Sequence, residues 1–250
     1  MEDIAYKIIK PEPELSDYVE SFWMIANLSA ESKAIVVLPN ATIDLSLSNA
    51  SSEPFHIMLM GLENEASQTS LSPKMKIFAI SFKLPAIEYL FKTSIADLVN
   101  QVRPLPADFW GFNSDDLQNF EDFHVKASNK IKTLIREKMD ARKRKLFELI
   151  YASNGALTVK ELSDKVYWSS RQINRYFNQQ FGISLKLYCN LLRFSASFQQ
   201  LNEGKLYPEQ NYTDQAHFIR EIKKFSGVVP GELAKNKNDR FIQLSALKKQ

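Results

Sequence analysis

Arg171, Asn174, Arg175 and Asn178 fall at i, i+3, i+4 and i+7 of one segment, a spacing that lines side chains along a single helical face. An arginine guanidinium presents a fork of donors that matches guanine O6 and N7. An asparagine amide can pair with the adenine edge in the same way. Together with Ser170 just ahead of them, these groups could read bases in a DNA major groove. A solvated face on an ordinary helix pair has the same spacing, so the surrounding elements must separate the two readings.

Those elements read as helix, short turn, helix over residues 157–182. Val159, Leu162 and Val166 place apolar groups on one face of the first helix, and Thr158 with Glu161 three residues on makes a capping-box start. Tyr167 and Trp168 interrupt the pattern, after which Ser169 or Ser170 can cap the next helix. Ile173, Tyr176 and Phe177 share the face opposite the polar row. A polar row on a helix held by a preceding helix is the layout of a major-groove reader.

A weak repeat strengthens this reading. At an offset of 45 residues Ile173 maps to Phe218, Arg175 to Arg220, Phe177 to Ile222, Gly182 to Gly227 and Ile183 to Val228. The polar row maps to Ala216, Ile219, Arg220 and Lys223. A second reader helix is therefore expected over 214–225, with Gln215, Arg220 and Lys223 as its polar groups.

Tyr212-Thr213-Asp214-Gln215-Ala216-His217-Phe218, followed by Lys223-Lys224-Phe225-Ser226-Gly227-Val228-Val229-Pro230, resembles the C-terminal signature of AraC-type transcription regulators. The resemblance covers about 141–235. It implies a tandem helix-turn-helix domain joined by a long helix, with sequence-specific DNA binding. One departure stands out. Residues 204–211, where the family has a supporting helix for its second motif, include Gly204 and Pro208. Pro inside a helix costs about 3 kcal/mol and Gly about 1, so a loop is expected there.

The charge is distributed to match. Of the 250 residues, 1–140 hold 13 Lys/Arg against 20 Asp/Glu, a net −7, whereas 141–250 hold 19 against 9, a net +10. A basic C-terminal half can meet a polyanion that the acidic half would repel. Charged residues make up 24% of the chain, as in ordinary globular proteins. No apolar run reaches the roughly 18 residues of a membrane span, and the N-terminal residues do not read as a signal peptide. The single cysteine, Cys189, excludes a disulfide framework within one chain and points to a reducing, cytoplasmic compartment.

Enzymatic signatures are missing. His56, His124 and His217 have no ligand spacing, and Cys189 reads as a small buried hydrophobe. The chain has no Walker loop, G-x-G-x-x-G or G-x-S-x-G. The expectation is a non-enzyme without cofactor or metal.

The N-terminal half changes period. Residues 4–10 read as an edge strand and 15–21 as a helical turn. Residues 22–27, 34–39, 42–47, 55–62 and 76–83 are rich in β-branched and aromatic types and read as strands. Short helices are expected over 86–91 and 95–99, and a loop around Phe109 and Trp110. A long helix starts at Ser114, its stripe of Leu117, Phe120, Ala127, Ile131, Leu134 and Ile135 packed internally or forming a dimer seam. Val37-Leu38-Pro39-Asn40-Ala41-Thr42-Ile43-Asp44-Leu45 resembles a segment of a small sensor-like domain that precedes many AraC-type DNA-binding domains. Residues 80–85 and 108–111 fit later segments of it. Asn40 and Ala41 stand where that segment has Asp-Gly. Trp23, Phe55, Phe78, Phe82 and Trp110 either line an apolar ligand pocket or fill the core.

The expected fold is α+β: an N-terminal antiparallel β-barrel or sandwich with short helices (1–113), a helical connector (114–140), an all-α tandem helix-turn-helix domain (141–240) and a tail (241–250). The expected function is sequence-specific transcription regulation. Duplex DNA, a small-molecule effector, a second copy of the chain and, for an activator, RNA polymerase are the expected partners. The alternative is an interaction or small-molecule-binding protein that has lost specific DNA recognition.

Overall fold

Ile43, Leu45 and Leu47 alternate with Asp44, Ser46 and Ser48, and successive side chains of an extended chain face opposite ways. A computed structural model describes residues 3–209 and 212–247 and builds its N-terminal half on this alternation. Strands β1 (Ile4–Ile9), β2 (Val19–Asn27), β4 (Ile43–Ala50), β5 (Glu53–Met60), β7 (Lys76–Phe82) and β8 (Val102–Leu105) form one antiparallel sheet in the order β1-β2-β7-β4-β5-β8. Strands β3 (Lys33–Val37) and β6 (Ser67–Leu71) pair as a second, two-stranded sheet. The expected antiparallel strands are thus present as two sheets. Among the described residues β1 and β8 end the larger ladder without pairing to each other.

Ile43, Leu45 and Leu47 of β4 are fully buried on one side of the large sheet. In register with them lie Phe78, Ile80 and Phe82 of β7. Helix α1 (Phe120–Leu134) covers this face, with Phe78 against Phe120 and Phe123 at centroid distances of 5.3 and 5.7 Å. Buried rings of this size each stabilise the fold by about 1.5–3 kcal/mol. The stripe on α1 is therefore internal packing, not a free seam. The long helix expected from Ser114 is divided: a 3-10 turn (Ser114–Leu117) precedes α1, which Asn119 caps by accepting from the amides of Glu121 and Asp122.

The turn before β4 keeps its shape without glycine. Ala41 adopts φ 62, and Asn40 Oδ1 accepts from the Thr42 amide (3.2 Å) and hydroxyl (2.9 Å). Two strands were not expected. β6 is mostly polar (SQTSL), and β8 contains Pro104, which is tolerated because β8 is an edge strand. The segments at 87–91 and 96–98 are a π-helical and a 3-10 turn.

The C-terminal half is helical: α2 (Ala141–Ala152), α3 (Val159–Val166), α4 (Ser170–Phe181), α5 (Leu185–Ala196), α6 (Phe198–Asn202), α7 (Gln215–Ser226), α8 (Pro230–Lys235) and α9 (Ile242–Leu247). The long helix expected to join the two motifs breaks at Ser197 into α5 and α6. One apolar core runs from the α1-covered face of the sheet through α2, α4, α5 and α7. Tyr188 of α5 donates to the Ala41 carbonyl (3.2 Å), and the Leu84 amide donates to the Tyr151 hydroxyl (3.2 Å). Cys189 is buried as expected, and burial pushes its thiol up to about 12. Of the segment expected to be a tail, residues 241–247 are docked on the N-terminal half. Phe241 bridges Val36 in parallel, and Gln243 both donates to the Leu38 carbonyl (2.8 Å) and accepts from its amide (3.0 Å).

Candidate nucleic-acid interface and ligand cavity

Helix α3 starts in a capping box between Thr158 and Glu161, and α4 in another between Ser169 and Gln172. Tyr167 ends α3 in the left-handed conformation (φ 53). This fixes a short turn between the helices, and the Tyr167 side chain projects outward at 91% exposure. Leu162 and Val166 of α3, and Ile173, Tyr176, Phe177 and Phe181 of α4, are buried. Phe147 of α2 packs on three of the α4 rings.

With that face consumed, Arg171, Arg175 and Asn178 are exposed, while Ser170 and Asn174 are half-buried. Asn174 Nδ2 donates to the Ser170 carbonyl (3.0 Å), which leaves its Oδ1 for an outside donor. Neither Arg171 nor Arg175 forms an ion pair among the described residues. Uncommitted guanidiniums on a capped, rigid helix are the groups a base edge or phosphate requires.

The N-terminal half grips the far end of α4. Ser94 Oγ donates to the Gln179 carbonyl (2.7 Å), and the Ile95 amide donates to that of Gln180 (2.9 Å). These are terminal helix carbonyls that would otherwise need water. Gly182 (φ 73) has no room for a side chain, since a Cβ would lie 2.4 Å from the Ala96 carbonyl oxygen. Tyr176 donates to the Glu88 carboxylate (2.9 Å), which also pairs with Lys143. Burial, with Glu88 adding to it, raises the tyrosine pKa strongly.

Helix α7 reproduces α4 at the 45-residue offset. Both helices have 12 residues. Asp214 caps α7 by accepting from the His217 amide (2.7 Å), and Gly227 ends it at φ 77. Phe218, Ile222 and Phe225 are buried, with Phe225 against Phe194 of α5. Ala216, Ile219, Arg220 and Lys223 are exposed.

Its support differs from that of α4. Residues 203–209 are non-helical, as expected from Gly204 and Pro208; 210 and 211 lie outside the described residues. Gln215, expected as a polar reader, is instead half-buried. Its Nε2 donates to the Leu206 carbonyl (2.8 Å), and its Oε1 is buried without a partner among the described residues. The side chain therefore ties down the loop that precedes α7.

The other face of the large sheet, with β3 and β6 opposite, encloses a cavity of about 730 Å³. Its floor follows the cross-strand register: Ser21, Ser81, Asp44, Met60 and Val102 form one row, and Trp23, Ser46 and Met58 belong to the next. The α5–α6 junction (Ser195, Ala196, Phe198) and α9 (Ile242, Gln243, Leu247) complete the walls. Of the five aromatic residues expected either to line a pocket or to fill the core, Trp23 lines the cavity. Phe78 and Phe82 point to the opposite, α1-covered face, where Phe82 and Trp110 pack with Phe91. Phe55 is half-buried and outside the lining. The period-2 strand pattern separates them: Trp23 pairs with Ala79, on the face away from Phe78 and Phe82.

The cavity's acidic groups were not singled out from sequence. Asp44 accepts from Ser81 Oγ (2.5 Å), and Ser81 Oγ accepts from Trp23 Nε1 (3.0 Å). Burial raises the Asp44 carboxyl to about 6, against the pull of its hydrogen bonds. Glu63 accepts from Ser67 (3.2 Å) and is raised to about 7, mostly by burial and partly by Asp44. The available signal was the polar alternation along β4, which looks the same for a solvent-facing strand.

Residues 7–104 match the model of a domain of unknown function (DUF6597). No curated protein matches the chain. Among solved structures, it is similar to ToxT from Vibrio cholerae in a 1.65 Å structure, at 13% identity and a TM-score of 0.46, covering 93% of this chain and 98% of ToxT. It is also similar to ToxT bound to (E)-4-(8-methylnaphthalen-1-yl)but-3-enoic acid, at 15% identity and a TM-score of 0.45, with 93% and 98% covered. A third match is unsaturated fatty acid bound ToxT of strain SCE256, at 12% identity and a TM-score of 0.41, with 93% and 94% covered.

Proposed function

We propose that this chain is a cytoplasmic DNA-binding transcription regulator of the AraC type, with α4 as its main base reader and the N-terminal cavity as an effector site. The observation that carries this reading is the doubled reader. Two 12-residue helices, each side-chain-capped, buried on one face and ended by a left-handed glycine, recur 45 residues apart in the basic half. Arg171, Asn174, Arg175 and Asn178 are the base-reading candidates on α4. Ala216 and Ile219 on α7 can offer a thymine methyl only apolar contact, and Arg220 and Lys223 suit phosphates. Action as a homodimer, or with RNA polymerase as an activator, belongs to the same proposal.

A gel-shift titration of the full chain on duplex DNA at several salt concentrations tests it. Binding should weaken steeply with salt, as counterion release requires, and specific binding should be lost on combined Arg171→Ala and Arg175→Ala. Absence of DNA binding by the wild-type chain would favour a protein that has kept the effector site and lost DNA recognition. The Gln215–Leu206 tie and the apolar row on α7 are the observations on that side.

A further inference from the structure

We propose that the cavity between the two sheets binds an organic cation with an apolar body, an amine or quaternary ammonium, held by Asp44 and Glu63. This deepens the effector part of the proposed function and depends on that reading only for its regulatory consequence. Both carboxylates line the cavity, and neither forms an ion pair among the described residues. No Lys or Arg among the described residues lines it. A buried carboxylate without a counter-charge is costly, and a cationic ligand supplies the missing charge. Trp23 adds an aromatic platform beside Asp44, held by the Trp23–Ser81–Asp44 hydrogen bonds, and cations favour aromatic faces. Met58, Met60 and Ile77 provide apolar wall for the rest of the molecule. The volume, about 730 Å³, lies within the range of small-molecule sites.

The protonation chemistry gives a signature that a merely structural role would not. Burial raises the Glu63 carboxyl to about 7 and that of Asp44 to about 6. A bound cation favours their ionised forms, so binding at neutral pH expels protons and tightens as pH rises from 6 to 8. An anionic ligand would take protons up and weaken over the same range. The other titratable groups facing the cavity are Tyr6, Glu20 and His56. Glu20 is already paired with Lys10 and Lys83. His56 is hydrogen-bonded to Ser48 (2.8 Å) and the Pro54 carbonyl (3.0 Å). Tyr6 is raised far above this window.

The experiment uses the full chain without DNA and a matched panel of phenylalkyl amines, alcohols and carboxylates with chains of four to eight carbons. Calorimetry in buffers of different ionisation enthalpy reads affinity and proton release together. The expected result is that the amines bind at least tenfold more tightly than the alcohols or carboxylates, with protons released. Asp44→Asn and Glu63→Gln should each remove most of that preference while alcohol affinity stays within about twofold. If Asp44→Asn does not fold, Glu63→Gln and the proton count decide. No binding by any member, equal or tighter binding of carboxylates, or amine preference unchanged in the folded variants would overturn the proposal. DNA binding is a separate measurement, so loss of either reading leaves the other standing.

Discussion

Helices α4 and α7 are equal in length, similarly capped and similarly buried, yet they are fastened differently. α4 follows a complete helix, α3, and has its C-terminus held by Ser94 and Ile95 of the other half. α7 follows a five-residue helix and a non-helical stretch that borrows Gln215 as a tether. A repeated helix does not carry its function with it. What it can do depends on which side chains remain uncommitted and how firmly its ends are held. On both counts α4 is the better suited of the two to the base-reading role proposed for it.

The largest separation between the two should appear in DNA binding. Arg175→Ala should cost about 1–3 kcal/mol, roughly tenfold to a hundredfold in affinity, and relax preference at one base pair. Arg220→Ala, its counterpart on α7, should weaken binding with little change in preferred sequence. Quantitative gel shifts on a set of single-base operator variants would distinguish the two. Equal loss of specificity in both variants would break the comparison.

The glycine caps test the fastening itself. Gly182 and Gly227 occupy equivalent positions at similar φ, but a Cβ at Gly227 meets nothing within 4 Å, whereas one at Gly182 strikes the Ala96 carbonyl. Gly227→Ala should therefore cost about 1 kcal/mol, the left-handed strain alone. Gly182→Ala should cost about 2–4 kcal/mol because the backbone of the other half must also shift. Urea unfolding of the two variants measures the difference. A smaller cost at Gly182 would mean that the docking of α4 on residues 94–98 is slack.

Both helices were legible in the sequence because their determinants are local. Caps, a 3.6-residue period and a left-handed terminator lie within a dozen residues, and Thr158, Ser169, Asp214, Gly182 and Gly227 each take the role their type suggests. The loop at 203–209 was legible for the same reason. The cavity was not. Thr42, Asp44, Ser46 and Ser48 alternate with apolar residues as they would on a solvated sheet face, and only the placement of β3, β6 and α9 buries them. Phe78 and Phe82 read as either pocket or core, and strand parity sends them to the helix-covered face. Docking of residues 241–247 against β3 joins positions about 200 apart, a pairing that no local pattern encodes.

Smaller effects refine the picture. Lys223→Ala should weaken binding nearly uniformly across sequences and reduce the salt slope by about 1, as loss of one phosphate contact does. A sequence-selective loss would promote α7 to a base reader. Ala41→Gly should change stability by less than about 1 kcal/mol, because relief of strain at φ 62 is offset by loss of a buried methyl and by the added freedom of the unfolded chain. Thermal unfolding reads that change, which should leave the DNA affinities unaltered.

Selection of bound sequences from randomised duplex DNA tests the central claim most directly, with the wild-type chain and the Arg175→Ala and Lys223→Ala variants side by side. One information-rich block under α4 and a weakly specified flank under α7 are the expected result. Arg175→Ala should erase part of the block, and Lys223→Ala should leave the pattern intact at lower yield. Two equally informative blocks about 34 Å apart, one turn of B-DNA, would contradict it, showing that α7 reads bases as well as α4 despite its loop support.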